Sequence, residues 1–262
     1  MGGSLIPGET AEIRLLGDWR VHRADGSVVD NREWRTGKTS DLLRLLALDN
    51  GHPVRIAALT GLLWPDADEP RARASLRTAV GRIRQVLGPE RIRREPDALV
   101  LEDCWVDRDV FLDLTGQVQR AVLREEHERV LALVAEADRL YRNDFHAHDD
   151  DSTWASLERD RLRHARVQNL ADAAESAVVL ERYREAVALA GVAVAIDPTC
   201  EGPHRSLMRA QAGLGEIGRA LKVFASYRQH LADELGAEPS RQTIELHLSL
   251  LRGRRPASAA SA

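Results

Sequence analysis

Between Arg71 and Gly88 the sequence RARASLRTAVGRIRQVLG holds five arginines and no acidic residue. Extended to residue 94, the count is eight arginines against the single acid Glu90, a local charge of +7 (8 − 1) in a chain whose formal net charge is −4. Guanidinium groups at this density suit one chemistry above others, the holding of phosphates and base edges through charge-assisted hydrogen bonds, with guanine O6 and N7 taken by two bonds at once. Placed at about 100° per residue, Ala72, Leu76, Ala79, Val80, Ile83, Val86 and Leu87 form one continuous helical stripe, the face that must pack on a core. Arg73, Arg77 and Arg84 border the opposite face on one side, Arg71 and Arg82 on the other, and Ala74, Thr78 and Gly81 lie between them. Short side chains along the middle let a backbone come close while flanking cations reach outward, a shape that fits a DNA major groove. Arg77, Thr78 and Arg84 are the expected readers of sequence, with phosphate neutralisation supplying most of the affinity and its salt dependence. Arg91, Arg93 and Arg94, with Lys38 and Thr39, are expected on flanking phosphates. A solvated face of an arginine-rich chain is the plain alternative, but wholly one-signed helical faces are less common than mixed ones.

No other constellation in the chain carries chemistry. TGKTS, residues 36–40, matches the end of a phosphate-binding loop, but the spacing GxxxxGK[ST] requires glycine at position 32, where Arg32 stands. FHAHDDD, residues 145–151, gathers His146, His148 and three aspartates, a spacing that polar loops produce cheaply, and it reads as a solvated loop. His164, His204, His230 and His247 stand singly in helical stretches with no nucleophile in a recognisable arrangement. Cys104 and Cys200 offer neither a disulfide framework nor a CxxC pair and read as small hydrophobes. Trp64, Trp105, Trp154, Tyr183, Phe224 and Tyr227 are too sparse to form a stacking platform for single strands. No catalytic residue, metal or cofactor is therefore assigned, and the chain is expected not to be an enzyme.

The elements that must position the arginines follow from the pattern. At 262 residues and 44% hydrophobic content the chain suits two domains. It has no apolar run of about 18 residues and no secretory start, so a cytoplasmic, nucleoid-associated protein without a membrane partner is expected. EIRLLGDWRVH alternates as short strands, with a turn at Asp25-Gly26. Leu42, Leu43, Leu45, Leu46 and Leu48 predict a helix stopping at Asn50-Gly51, and RIAALTGLLW a second ending at Trp64-Pro65. Asp68 or Glu69 and Pro70 open the arginine helix. Ile92 against Leu99-Val100-Leu101, across Pro96-Asp97, predicts a hairpin. Strands, three helices and a hairpin in this order make a winged helix-turn-helix domain over residues 1–115. Residues 116–251 read as helices throughout, with an echo at 34 residues, Leu180 to Leu214 and Glu185-Ala186-Val187 to Arg219-Ala220-Leu221, the tetratricopeptide period. Residues 252–262 read as a disordered tail. The fold class is thus mainly α with a small β component.

These segments resemble the SARP-type transcriptional regulators, which join an OmpR-like winged helix to a bacterial transcriptional activation domain. The resemblance rests on TSDLLRLLAL, LTGLLWPDAD, ARASLRTAVGRIRQVLG and CWVDRDVF in the first half, and on LYRNDF, WASLERDRLR, RYREAVALAGVAVAIDP, HRSLMRAQAGLGEIGRAL and YRQHLADELGAEPS in the second. It implies an activator that binds repeated half-sites in double-stranded promoter DNA and contacts RNA polymerase, with a homodimer among its expected states. It places the recognition helix on residues 71–87 and the wing on 91–101. Larger relatives add an NTPase or sensor domain, and whether this chain is a fragment of such a regulator is left open. Read without the resemblance, the residues also allow a helical-repeat adaptor whose winged domain does not bind DNA.

Overall fold

The protein's structure, a computed structural model, describes residues 10–146 and 153–253. They fall into two compact units, one of residues 10–111 with 142–146 and 153–158 and one of residues 112–141 with 159–253.

In the first unit, β1 (Ala11–Arg14) pairs antiparallel with β2 (Arg20–His22) and parallel with β6 (Cys104–Val106), in the order β2-β1-β6. Ile13 faces inward and is fully buried, as the period of two requires. The turn at Asp25-Gly26 forms with Gly26 at φ +82°, a conformation that favours glycine. A 3-10 turn over Asn31–Trp34 is closed by a reciprocal cap between Asp30 and Glu33.

Helix α1 (Gly37–Leu48) begins five residues before the first leucine of the pattern, because the Thr36 hydroxyl accepts from the Thr39 N–H. Strand β3 (Val54–Arg55) leads into α2 (Ile56–Leu63), which ends at Trp64-Pro65. Helix α3 (Glu69–Leu87) is capped by the Asp68 carboxylate on the Arg71 N–H at 2.9 Å, with Pro70 in its first turn. It is followed by β4 (Ile92–Arg94) and β5 (Ala98–Leu101), an antiparallel hairpin in the register Ile92 to Leu101, and β3 pairs with the other edge of β5. Helices α1, α2 and α3 pack on one another, around Leu42, Leu43, Leu46, Leu59, Leu63 and Ile83, each under 2% exposed.

Asp107, the first residue of α4 (Asp107–Leu123), is 3% exposed, and its carboxylate accepts from the N–H groups of Leu15 (2.7 Å), Leu16 (3.0 Å) and Arg108 (2.8 Å). It therefore ties the end of the first strand to a helix that begins over ninety residues later. Burial pushes its carboxyl up to about 6, against the pull of those donors. Residues 142–146 and 153–158 belong to the same unit, with Arg142 N–H donating to Leu16 O (3.2 Å) and Arg108 pairing with Glu158 (2.8 Å). His148 and the three aspartates read as a solvated loop lie outside the described residues.

The second unit is built of helices: the later part of α4, then α5 (His127–Leu140), most of α6 (Thr153–Val179), α7 (Tyr183–Ile196), α8 (Glu201–Gly213), α9 (Ile217–Leu235) and α10 (Arg241–Leu251). Three helix-to-helix turns share one geometry. Glu125, Glu181 and Gly215 each take φ between +56° and +79°, and the residue after each donates its N–H to the carbonyl five positions earlier: Glu126 to Ala121, Arg182 to Ala177 and Glu216 to Gln211. Four residues further on stand Val130, Ala186 and Ala220, all 0% exposed. The echo at 34 residues is thus the second and third copy of a three-fold pattern, and the unit is a tetratricopeptide-like stack of helical hairpins. Alanines at 173, 177, 186, 193 and 210 fill its core, where small side chains let helix axes approach closely.

Candidate nucleic-acid interface

The seven residues of the apolar stripe, Ala72, Leu76, Ala79, Val80, Ile83, Val86 and Leu87, are the buried residues of α3. Burial of each of the larger ones contributes about 1.5–3 kcal/mol, which fixes the rotation of the helix and turns its other side to solvent. On that side Ala74, Thr78 and Gly81 are exposed. The Thr78 hydroxyl donates to Ala74 O at 3.1 Å, so its proton is engaged within the helix and its free functions are a lone pair and a methyl. A Cβ built on Gly81 meets nothing within 4 Å. Neither backbone conformation nor packing requires glycine there.

The structure sorts the arginines into free cations and struts. Arg77 and Arg94 are exposed, with no carboxylate partner among the described residues. Arg71 is 84% exposed and 3.7 Å from Asp68, while Arg73 pairs with Glu69 at 2.9 Å. Such exposed pairs are worth little and exchange readily for a phosphate. Arg84, by contrast, is half-buried and donates through Nη2 to Ile92 O at 2.7 Å, clipping the end of α3 to the first strand of the hairpin. Arg82 donates to Glu33 O and to Gln85 Oε1, clipping α3 to the 3-10 turn. Glu33 in turn takes Arg23 (2.5 Å), whose bond holds its carboxyl below the usual range, and Arg23 Nε donates to Val86 O (3.0 Å).

The hairpin and the start of α1 divide in the same way. Arg91 is 7% exposed and donates to Asp103 O at 2.8 Å, so it anchors the base of the hairpin and faces no ligand. Arg93 lies between Glu102 and Glu95, both at 2.6 Å, which raise its pKa. Lys38 is exposed and without a carboxylate partner among the described residues. Thr39 is 4% exposed, with its Oγ1 3.0 Å from Thr36 Oγ1, and does not reach the surface. One cation had no sequence signal: Arg55, exposed at the junction of β3 and α2 and held beside Ala98 of the hairpin by strand pairing. A lone arginine ahead of an apolar helix carries no pattern, and only the sheet register brings it to this face. Arg73, Arg77, Arg84 and Arg94 line a groove between α3 and the hairpin whose floor is Ile56, Leu76, Val80 and Leu99.

Residues 106–251 match the family described as the bacterial transcriptional activator domain. The chain belongs to that family, and it is of the SARP type. It is similar to the regulatory protein AfsR of Streptomyces griseus, 26% identical over 213 residues, which cover 80% of this chain and 22% of the relative. The chain thus spans about a quarter or less of the length of the AfsR relatives it matches. Regulatory protein DnrI of Streptomyces peucetius is 26% identical over 256 residues, 92% of each chain. Among solved structures, EmbR of Mycobacterium tuberculosis, in complex with a low affinity phosphopeptide, superposes with a TM-score of 0.84 at 22% identity, over 95% of this chain and 66% of that one. At that identity the likeness carries the fold, a winged helix followed by a helical activator domain. Among the described residues, no helix is long and apolar enough to cross a membrane and no group of three or more metal-ligating side chains gathers.

Proposed function

We propose that the protein is a sequence-specific DNA-binding transcriptional activator, working in the cytoplasm at promoter DNA and without catalytic activity. Helix α3 enters the major groove with Ala74, Thr78 and Gly81 against the base edges and Arg77 as the principal reader, its guanidinium free to take two acceptors of a guanine. Arg94, Arg55 and Lys38 hold flanking phosphates, and Arg71, Arg73 and Arg93 join them by exchanging carboxylates for phosphate. Arg82, Arg84 and Arg91 set the positions of the others. The helical unit offers the surface that meets RNA polymerase, and a homodimer on repeated half-sites fits the same scheme.

The observation that carries this reading is the exposed strip that ends in an uncrowded glycine, Gly81. A glycine in a helix interior costs roughly 1 kcal/mol relative to alanine, and nothing inside the molecule requires it. Close approach of another surface does. The test is fluorescence anisotropy of the full chain on promoter duplex across a salt series. With Arg55, Arg94 and Lys38 unpaired and on phosphates, the slope of log affinity on log salt is expected at about −3, from roughly −0.9 per neutralised phosphate. Recruited ion pairs would steepen it. Binding indifferent to salt, or retained when Arg77 and Arg94 are both replaced by alanine in a folded protein, defeats the reading.

A further inference from the structure

The groove between α3 and the hairpin has a feature that duplex binding does not use. Its rim is cationic, and of its four arginines only Arg73 has a carboxylate partner among the described residues. Its inner end, the floor, is hydrocarbon, the accessible edges of Ile56, Leu76, Val80 and Leu99, each 2–8% exposed. A phosphodiester needs the rim and gains nothing from the floor, because a charged, hydrated group is not stabilised by apolar contact. Arg84 sharpens the point: it is half-buried, its one hydrogen bond among the described residues goes to a neutral carbonyl, and its Nε is buried without an acceptor. A cation so placed favours a nearby anion.

We propose that this groove is a binding site for a small, flat organic carboxylate, one whose ring system lies on the four apolar side chains while its carboxylate takes Arg77 and Arg94. The volume, about 260 Å³, lies just under the roughly 300 Å³ at which ligand pockets begin, so the occupant is of one or two fused rings. Apolar body and anionic end are matched by apolar floor and cationic rim, the usual composition of such sites. Because Arg77 serves both ligands, the carboxylate and the duplex exclude one another, and the site would let an aromatic acid lower promoter occupancy. That consequence rests on the DNA-binding reading, whereas the site itself does not.

The experiment uses the full chain with 2-naphthoate as probe and neutral 2-naphthamide as its control, followed by calorimetry, and then repeats the duplex titration in the presence of 2-naphthoate. Expected are one saturable site for the carboxylate, no measurable site for the amide, and a loss of roughly tenfold in probe affinity in Arg94→Ala, the worth of one charge-assisted bond. Val80→Asp tests the floor, and circular dichroism checks that each variant is folded. If Val80→Asp fails to fold, Arg77→Lys keeps the test open, since it preserves charge and loses the forked geometry. Absence of a saturable site, equal binding of amide and carboxylate, or indifference to both arginine changes overturns the proposal. So does simultaneous binding of duplex and probe without mutual effect. Probe binding with no duplex binding at all supports the site and sinks the DNA reading, while duplex binding with no probe site does the reverse.

Discussion

Replacing Gly81 by alanine separates what is good for the fold from what is good for the interface. In the free protein the added methyl meets no atom within 4 Å, so the change removes the conformational freedom of glycine and introduces no clash. Helix propensity then sets the gain, about 0.5–1 kcal/mol, which for a urea slope of roughly 2–3 kcal/mol/M moves the midpoint of the first unit up by ~0.3 M. On DNA the same methyl, a bond of ~1.5 Å beyond the backbone, stands between α3 and the base edges and holds the helix off. Charge-assisted bonds from Arg77 and its neighbours cannot stretch by that amount, and the loss of one or two of them at about 1.5–3 kcal/mol each weakens binding by roughly 10- to 100-fold. Urea denaturation and duplex anisotropy on one preparation measure both numbers. Gly213→Ala is the internal control: there a Cβ would stand 2.6 Å from the Tyr183 ring, so the same substitution is destabilising. A Gly81→Ala protein that is more stable and binds duplex as tightly as its parent would refute the close-approach argument. One that is less stable would refute the packing analysis beneath it.

Three further outcomes follow from the side-chain partners. Arg77→Ala removes no ion pair among the described residues and should leave thermal stability unchanged, while duplex affinity falls by about 1–3 kcal/mol and discrimination at the base it reads is relaxed. Arg84→Ala should instead lower stability by about 1–2 kcal/mol through the lost bond to Ile92 O, and weaken binding to all duplexes alike, which competition between specific and random DNA will show. Asp107 gives a pH signature. Its folded carboxyl sits at about 6 against an ordinary 3.8, so the folded state holds that proton more tightly than the unfolded chain. Its contribution is full below about pH 4 and fades as pH rises to about 6, by at most ~3 kcal/mol. The stability difference between the parent and Asp107→Asn should therefore shrink across that window in denaturant titrations, and a difference that is flat or growing would show that the three N–H donors outweigh burial.

The parts of this molecule written in local pattern were legible from sequence. The period of 3.6 placed all seven buried residues of α3, Asp68 and Pro70 marked its start, and Pro96-Asp97 between apolar runs marked the hairpin. Parts that depend on backbone partners far along the chain were not. Strand β6 is three residues long and pairs in parallel with β1 across ninety positions, which no alternation signals. Arg82 and Arg84 look like their neighbours in sequence, yet carbonyl oxygens of Glu33 and Ile92 capture them, and carbonyls leave no trace in residue type. Arg91 and Thr39 were expected at the surface because their types are polar, and tertiary packing took both inside. Of the three matching helix turns, one carries a glycine, Gly215, whereas Glu125 and Glu181 adopt the same left-handed conformation without that sequence mark.

Charge placement explains how an acidic chain can serve a polyanion. With +7 on residues 71–94 and −4 overall, the remainder carries −11 (−4 − 7), so the field favours a duplex at one face and opposes it elsewhere. Screening limits each charge to about 8–10 Å at physiological salt, which confines the attraction to the side of α3 and the hairpin and turns it into an orienting force. Within that face the cations divide by function. Those exposed beside carboxylates can trade them for phosphate at little cost, and those bound to carbonyls hold α3, the 3-10 turn and the hairpin at fixed distances before any ligand arrives. A surface so held loses little conformational freedom on binding, and in the proposed complex discrimination between sequences falls to the few groups left free, Arg77 with the short strip beside it.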